Sequence, residues 1–433
     1  MNESKLLPGL LVNPAELEKL FDRLWPICRS ITGDGLRESL HILSEVQPMR
    51  MHEIPSGSRV FDWEVPKEWN IREAWIKGPD GKMVCDFREN NLHVVNYSSP
   101  IKARLPLSAL KAHLHSIPSM PEAIPYLTTY YKENWGFCLR DNVKQSLPEG
   151  EYEVFIDTEL KAGSMSYGEI FLPGRLQDEI LFSTYVCHPS MANNELSGPL
   201  AAIFLAREIA AIPERKYSYR FVFLPETIGA IALLHRLGTH FKEHLKAGYV
   251  LTCCGDRGDI TYKHSKRGDS LADRAALNLL EKGQLAHRGI PFAVGGSDER
   301  QYCSPGFNLP VGSIMRTPYQ QFAEYHTSAD NKDFISFDQL QETIRVCLGI
   351  CQILELNESY QNSVAFCEPQ LGKRGLYPSS VDPKFDRENL HRLLHFLAFA
   401  DGNTDVISIA NHRNDCALQY ADIVKQCREA GLI

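Results

Sequence analysis

The feature that most constrains the fold is the alternation of strand and helix patterns between residues 150 and 355. Apolar, β-rich runs occur at 181–187, 217–224 and 249–254, and helical periodicity follows at 198–211, 227–240 and 337–356. Strands with near-continuous apolar character are buried on both faces, which is typical of a parallel sheet covered by helices. We therefore expect an α/β fold with a mainly parallel mixed sheet flanked by helices.

A chain of 433 residues is too long to fold around a single hydrophobic core, so its length predicts more than one domain. Turn signals separate short strand-like runs between residues 49 and 106, which indicates a small all-β module inserted into the larger domain. The C-terminal segment has the pattern of a helix-turn-helix, winged-helix-like unit. We predict an α/β domain at 1–48 and 107–365, the β module at 49–106 and the C-terminal unit at 366–433.

The amino-acid composition and net charge indicate which partners and which cellular compartment to expect. A hydrophobic fraction of 43% and a charged fraction of 23% are typical of a globular protein, and the net charge of -8 argues against a nucleic-acid partner. From residue 384 onward six basic residues face seven acidic ones, so the C-terminal unit lacks the positive surface of a DNA reader. We expect no signal peptide, no membrane span and reduced cysteines, hence a cytoplasmic protein, and leave open whether it forms a homo-oligomer.

Polar side chains follow three of the predicted strands at the point where each strand ends. His188 follows the run 181–187, Glu226 follows 217–224 and Asp256 follows 249–254. The carboxyl ends of parallel strands share one edge of the sheet, where open α/β sheets bind ligands. A second histidine, His326, lies in a distant polar loop. Two histidines and a carboxylate brought to one crevice predict a metal, and a metal there favours hydrolysis.

Four short motifs carry a resemblance to a known family. They are His-Pro-x4-Asn-x-Leu-Ser-Gly (188–198), Pro-Glu-Thr-Ile-Gly (225–229), Gly-Ser-Asp-Glu-Arg (296–300) and Tyr-His-Thr-Ser-x-Asp (325–330). In this order they resemble the zinc-dependent aminopeptidase family. The chain is most similar to a branch of uncharacterised aminopeptidase-like proteins with an inserted β module and a C-terminal winged-helix-like domain.

The resemblance implies roles for individual residues. His188 and His326 match the two histidine ligands, and Glu226 matches the general base. Asn194 falls where the family has a bridging aspartate, and Thr227 falls where it has a second glutamate. Two zinc ions need a bridging carboxylate to offset their repulsion, and a neutral amide offers one oxygen and no charge. We therefore expect one Zn²⁺ rather than two.

The third ligand and the proton carrier stay open at this point. The carboxylate that completes the zinc site is Glu226 or Asp256, and Asp256 aligns only loosely with the family's late aspartate. If Glu226 binds the metal, Glu195 is the next candidate for proton transfer. The family counterpart of the loop 295–301 lies beside the substrate cleft. The candidate substrate-binding residues are Asp298, Arg300, Arg316, Lys263, Tyr319 and Tyr325.

Two functions remain in competition. The first is a zinc-dependent hydrolase of an amide bond in a small peptide or aminoacyl conjugate, in which zinc activates water and a glutamate moves the proton. The second is a catalytically degenerate, aminopeptidase-like binding or scaffold protein. Asn194 and Thr227 are the features that favour the second function, because both lack the carboxylate of the family pattern.

Overall fold

A computed structural model of the protein describes residues 7–377 and 386–433. The first six residues, on which the expected lack of a signal peptide depends, lie outside this range. Lys384, one of the six basic residues counted in the C-terminal unit, also lies outside it. The strands are β1 (Arg50–Pro55), β2 (Arg59–Val60), β3 (Trp63–Glu64), β4 (Glu68–Lys77), β5 (Met83–Asp86), β6 (Ile101–Pro106), β7 (Leu114–His115), β8 (Phe137–Cys138), β9 (Glu151–Lys161), β10 (Ser164–Leu172), β11 (Glu179–Tyr185), β12 (Ser218–Leu224), β13 (Leu245–Leu251), β14 (Ile260–Lys263), β15 (His287–Ile290), β16 (Val311–Met315), β17 (Ser359–Gln361) and β18 (Asp401–Asp405).

The α-helices alternate with these strands through the central part of the chain. They are α1 (Pro14–Leu24), α2 (Asp34–Ser44), α3 (Leu107–Leu110), α4 (Asp141–Gln145), α5 (Ser197–Ala210), α6 (Ile228–His244), α7 (Leu271–Leu277), α8 (Glu299–Tyr302), α9 (Phe337–Leu356), α10 (Arg387–Phe399), α11 (Val406–His412) and α12 (Ala421–Glu429). Among the described residues, no helix is long and apolar enough to cross a membrane.

The largest sheet has the strand order β1-β10-β12-β11-β13-β16-β14-β15. Its central strands β12, β11, β13 and β16 run parallel, whereas β1, β10 and β14 add antiparallel pairings. The register pairs Tyr185 with Leu224 and Phe182 with Tyr249, so these strands end at one edge. The predicted mainly parallel mixed sheet is confirmed.

Alternating side chains of the central strands fill two cores. Phe182 and Tyr249 stack with ring centroids 5.5 Å apart on the face covered by α1, α2, α5 and α9. Leu181 and Val250 face the opposite side, where α6 contributes Leu233. Because both faces are covered by helices, these strands show no alternation of apolar and polar residues, and the sequence reads as continuous apolar runs.

A second sheet has the order β5-β4-β9-β6. Its strand β9 spans residues 151–161, beyond the predicted β module at 49–106, whereas β1 at 50–55 pairs with β10 in the large sheet. The strands of the small sheet are therefore drawn from two separate stretches of sequence. The domain limits themselves remain a prediction.

The C-terminal unit combines the helices α10, α11 and α12 with the short pairing of β17 and β18. It is held to α7 by Arg274, whose guanidinium lies 2.6 Å from the Asp405 carboxylate. Asn278 donates its side-chain amide to Asn411 at 2.8 Å and accepts the backbone N–H of Ala417 at 2.8 Å. Ion pair and amide contacts thus fix the predicted helix-turn-helix against the α/β core.

Candidate active site

The candidate site lies where β11 and β12 end. His188 follows β11 and Glu226 follows β12, and the Nε2 atom of His188 lies 3.5 Å from Oε2 of Glu226. His326 reaches the same place from the loop between β16 and α9, with its ring centroid 5.7 Å from that of His188. The ring of Tyr126 packs against both imidazoles at 5.1 and 5.2 Å. Three residues separated by as many as 138 positions in sequence therefore converge.

Glu195 fixes the orientation of His188. Its fully buried carboxylate lies 2.6 Å from Nδ1 of His188 and accepts the backbone N–H of Cys187 at 2.5 Å. A carboxylate only accepts hydrogen bonds, so Nδ1 carries a proton and Nε2 is the atom that points towards Glu226. A turn of π-helix over Ala192–Leu196 directs Glu195 back to the histidine, and π-bulges of this kind occur frequently at functional sites.

The two imidazoles have opposite protonation tendencies. Burial disfavours a charged His188, yet Cys187 and Glu195 outweigh it and hold the pKa of His188 well above its ordinary value. Burial, with repulsion from His188, lowers the pKa of His326 to about 3. Burial also raises the pKa of the Glu226 carboxyl. A cation bound between the rings would therefore displace a proton from His188.

Asn194 presents a buried oxygen with no partner. Its side-chain NH₂ donates to the Tyr185 hydroxyl at 3.1 Å, while Oδ1 is buried and accepts no hydrogen bond among the described residues. The Asp330 carboxylate accepts the backbone N–H groups of Asn193 at 2.7 Å and of Asn194 at 2.9 Å. An unsatisfied buried oxygen is costly, and a cation is one partner that would satisfy it.

Asp330 was not among the predicted site residues. It closes the Tyr-His-Thr-Ser-x-Asp motif, and that position was the available signal for it. The side chain is fully buried, and its burial raises the pKa of the carboxyl to about 7. Asp330 binds the backbone of the segment that carries Asn194, and it lies four residues after His326 in the sequence.

Among the described residues, the group of potential ligands whose atoms all lie within 4.8 Å of one another is Cys187, His188 and Glu195, while Glu226 and His326 lie beside His188. Imidazole nitrogen and oxygen ligands at about 2.0–2.2 Å in a tetrahedral arrangement lie about 3.3 Å from one another. The 3.5 Å between His188 Nε2 and Glu226 is close to that separation, so Glu226 lies within reach of an ion held by His188, as a ligand or beside it. Cys187 Sγ lies 3.4 Å from Nδ1 of His188, but burial raises the pKa of its thiol to about 11. A protonated thiol is a poor ligand, and Nδ1 is already bound by Glu195.

Asp256 accepts four hydrogen bonds from neighbouring residues. One of its oxygens accepts the N–H of Gly258 and the hydroxyl of Thr317, both at 2.7 Å. The other accepts the Asn193 amide at 2.8 Å and the Thr317 N–H at 3.0 Å. All four bonds come from within the protein. Asp256 does follow β13, but both of its oxygens already accept hydrogen bonds from other residues, which argues against a role as a metal ligand.

Two of the predicted substrate-binding cations, Lys263 and Arg316, form ion pairs with carboxylates of the protein itself. Lys263 is buried and donates to Glu299 at 2.7 Å and to the Tyr319 hydroxyl at 2.7 Å. Arg316 is also buried, and its guanidinium donates to the Gly258 carbonyl at 2.6 Å and pairs with the Glu342 carboxylate. These contacts fix loops, and neither cation lines the cavity beside His188. The charges of Lys263 and Arg316 and the hydroxyl of Tyr319 are thus engaged within the protein, and their predicted role in substrate binding stays a prediction.

A cavity of about 320 Å³ opens beside His188 and Glu226. Arg300 lines it, and Tyr325 stacks on His326 with ring centroids 4.0 Å apart. The aromatic part of its wall consists of Trp63, Tyr130 and Tyr131, none of which the sequence analysis singled out. They come from the β2–β3 hairpin and from a loop, and no local pattern distinguishes them from other surface aromatics.

Thr227 has a strained backbone next to Glu226. Its φ of 66° lies in the left-handed region, where a β-branched residue is an outlier. Its N–H donates to the fully buried Asp298 at 2.7 Å, and its hydroxyl accepts from Arg300 at 2.9 Å. Burial, with Glu226 nearby, raises the pKa of the Asp298 carboxyl well above its ordinary value. Asp298 thus holds the backbone that carries Glu226 and does not line the cavity.

Comparisons with known proteins place these features in a family context. A family model described as a domain of unknown function, DUF4910, matches residues 18–357, and one described as a winged helix-turn-helix matches 358–433. A Clostridium acetobutylicum protein is 45% identical over 398 residues, 91% of this chain and 90% of its own. It carries the provisional name polysaccharide biosynthesis protein with aminopeptidase-like domain.

Solved structures show the same architecture. A crystal structure from Clostridium acetobutylicum, provisionally named a peptidase, has a TM-score of 0.91 and 42% identity over 97% of this chain and 96% of that chain. The zinc aminopeptidase BSAP from Bacillus subtilis has a TM-score of 0.58 and 10% identity over 79% of this chain and 95% of that chain. At 10% identity the second likeness concerns the fold alone. The predicted aminopeptidase-like fold and C-terminal winged helix are confirmed.

Proposed function

The chain belongs to the DUF4910 family, and from that premise we propose that it is a zinc-dependent hydrolase of an amide bond in a small peptide or aminoacyl conjugate. The observation that carries the proposal is the 3.5 Å approach of His188 Nε2 to Glu226, with the His326 ring 5.7 Å from that of His188 and with Nδ1 of His188 held by Glu195. Histidine ligands whose other nitrogen is bound by a carboxylate are a recurring feature of zinc sites.

One ion fits this donor set better than two. Nε2 of His188, the His326 ring and the unpartnered Oδ1 of Asn194 would hold it, with the Glu226 carboxylate beside it. A second ion would need a bridging carboxylate, and Thr227 and Asn194 provide a hydroxyl and an amide. Zinc in hydrolases acts as a Lewis acid that polarises a carbonyl and acidifies water.

Glu226, Glu195 and two tyrosines have different roles in the proposed reaction. Glu226 accepts a proton as the oxygen of water bonds to the scissile carbonyl carbon, and it delivers that proton to the amine as the carbon–nitrogen bond breaks. Glu195 is a positioning residue, because it is fully buried behind His188 and does not face the cavity. Tyr126 and Tyr325 pack on the imidazoles and restrict their rotation.

The surroundings suit a small substrate in a reducing compartment. A cavity of about 320 Å³ lies at the small end of ligand pockets, which span about 300–1,000 Å³. All twelve cysteines are free, which favours the cytoplasm. The C-terminal winged helix lacks a positive surface on its last helix, where exposed Asp422 and Glu429 alternate with Lys425 and Arg428, so we propose no nucleic-acid partner.

The test combines metal analysis with turnover of the full-length chain. We expect about one zinc per chain, and hydrolysis of an aminoacyl and dipeptide panel that a chelator stops and zinc restores. Glu226→Gln should retain zinc while turnover falls by about 10²- to 10⁴-fold. Glu133→Gln is the control, because its side chain is 85% exposed. Loss of zinc from Glu226→Gln would make Glu226 a ligand instead of the proton carrier.

The scaffold alternative has its own signature in the same experiment. Protein that folds without zinc, binds none when it is added, and turns over no member of the panel would support a binding role. The buried, unpartnered oxygen of Asn194 and the aligned Nε2 of His188 favour the hydrolase, since a scaffold has no use for either arrangement.

A further inference from the structure

Arg300 is a cation without a counterion in the wall of the cavity. It forms no ion pair with any residue in the described part of the chain, and its Nε is buried without a hydrogen-bond partner. One terminal nitrogen donates to the Thr227 hydroxyl at 2.9 Å. By contrast, the buried cations Lys263 and Arg316 both pair with carboxylates, Glu299 and Glu342.

The charge of Arg300 acts to lower the pKa of the Glu226 and Asp298 carboxyls, but among the described residues no carboxylate lies within ion-pair distance of the guanidinium. Asp298, two residues earlier, uses one oxygen to accept the Thr227 N–H at 2.7 Å. Glu299, the adjacent residue, is directed to Lys263 on the far side of α8. The contact with Thr227 therefore fixes Nη2 of the guanidinium, while Nη1 makes no hydrogen bond among the described residues. A partly buried charge in this state is unfavourable until an anion joins it.

The opposite wall is aromatic. Trp63 and Tyr131 contact each other edge to face at 5.7 Å, and Tyr131 donates its hydroxyl to the Glu64 carbonyl at 3.3 Å. Tyr130 is tied to the Tyr126 hydroxyl at 3.2 Å. These rings offer apolar surface and hold no cation. Apart from the His188 imidazole, Arg300 is thus the cationic side chain in the lining of a cavity that also contains Glu226.

We propose that Arg300 binds a carboxylate of the substrate, so that the hydrolase acts on dipeptide-sized molecules that carry a free carboxylate near the scissile amide. The proposal rests on the proposed function. A planar guanidinium can donate two parallel hydrogen bonds to a carboxylate. A neutral amide or ester group does not offer the two charged oxygens that this pairing needs. The cavity of about 320 Å³ leaves room for a residue between Arg300 and the reacting centre, and little more.

The carboxylate can be the C-terminal group or an acidic side chain, and paired probes separate these sources. With the zinc-loaded full-length protein, kcat/KM is measured for L-alanyl-L-alanine, for L-alanyl-L-alanine amide, and for the α-amide of L-alanyl-L-aspartic acid, which keeps only the side-chain carboxylate. We expect one carboxylate-bearing probe to exceed the neutral amide by about 10- to 100-fold, mainly through KM, as a charged hydrogen-bonded pair contributes.

Variants of Arg300 tie the preference to this side chain. Arg300→Gln keeps a donor for Thr227 and should reduce the ratio between the carboxylate probe and the neutral amide to near 1. Arg300→Lys should restore part of it, because it returns the charge without the planar geometry. Arg88→Gln is the matched control, since Arg88 is 65% exposed and pairs with Glu73 outside the site. Equal ratios in wild type and Arg300→Gln would overturn the proposal.

A binding measurement keeps the proposal testable if no turnover is found. Calorimetric titration of L-alanyl-L-alanine and its amide into Glu226→Gln protein should show a 10- to 100-fold preference for the carboxylate, absent from the Glu226→Gln, Arg300→Gln double variant. Hydrolysis of both probes with equal kcat/KM would overturn the carboxylate site while leaving the amide hydrolase in place. Selective binding without hydrolysis would overturn the proposed function and support the carboxylate site.

Discussion

Replacing Glu195 with glutamine tests how His188 is prepared for a metal. The carboxylate receives the Nδ1 proton of His188 at 2.6 Å and the Cys187 N–H at 2.5 Å through two different oxygens. Glutamine has the same shape but only one oxygen, and its NH₂ group faces one of these donors. The variant therefore either loses the Cys187 bond or loses control of the His188 tautomer.

The size of the effect follows from the burial of the group. Loss of a carboxylate behind a metal-binding histidine lowers metal affinity by about 10- to 100-fold, or about 1.4–2.7 kcal/mol. Arg29, fully buried and 4.0 Å from Glu195, loses its counterion as well. Breaking a buried charge pair costs about 3–5 kcal/mol, and the 4.0 Å separation places this case near 3 kcal/mol. That is a large share of the stability of an ordinary domain.

Two assays separate these effects. Urea unfolding without zinc should show a lower midpoint in Glu195→Gln with an unchanged m-value, and calorimetric zinc titration should show the weaker affinity. Glu208→Gln is the matched control, because Glu208 is a buried carboxylate that accepts the N–H groups of Leu11 and Val12 far from the site. It should lose stability and keep its zinc affinity. Unchanged zinc affinity in Glu195→Gln would refute the orienting role.

Three further outcomes follow from the contacts of single residues. Asp256→Asn should lower the free energy of unfolding by about 2–3 kcal/mol in urea titration, because it breaks bonds with Thr317, and should leave the zinc content of the protein unchanged. Asn194→Asp should raise zinc affinity in calorimetry by about 10-fold, since a charged oxygen replaces the unpartnered amide oxygen; unchanged affinity and activity would remove residue 194 from the site. The hydrogen bonds of Arg37 lower the pKa of Glu68 to about 2. Because this pKa is depressed in the folded state, the pair should stabilise the protein by about 2–3 kcal/mol above pH 4.5 and lose that contribution as the pH falls towards 2. Stability curves of wild type and Glu68→Gln should accordingly converge over that range, and parallel curves would contradict the assignment.

The sheet and the place of the site could be predicted because both depend on local sequence. Runs that are apolar at every position identify strands buried on both faces, and parallel strands bring the residues after them to one edge. His188 and Glu226 follow adjacent strands β11 and β12, so their 3.5 Å approach is a direct result of topology. His326 could be predicted only from its sequence motif, because its loop does not place it directly after a strand.

Some of the predicted site residues have hydrogen-bond partners that lie far away in sequence. Asp256 resembles a ligand until the amide of Asn193, 63 residues earlier, accounts for one of its oxygens. Lys263 resembles a substrate-binding cation until Glu299 is placed against it from 36 residues later. Arg300 differs from these two because both neighbouring acids are directed elsewhere. No periodicity or motif records which charged side chains find such partners, since pairing is decided by packing.

Backbone strain at the edge of the sheet was also invisible in the sequence. Ser190, Thr227, Cys253 and His326 all have positive φ, between 48° and 66°, and none of them is glycine or asparagine, the residues that signal this conformation. Each such residue costs on the order of 1–3 kcal/mol unless its surroundings impose the conformation. At Thr227 the surroundings are known, because Asp298 binds its N–H and Arg300 its hydroxyl. The loop 296–300 therefore does two things at once: it holds the strained turn that presents Glu226, and it supplies the guanidinium that the substrate carboxylate would meet.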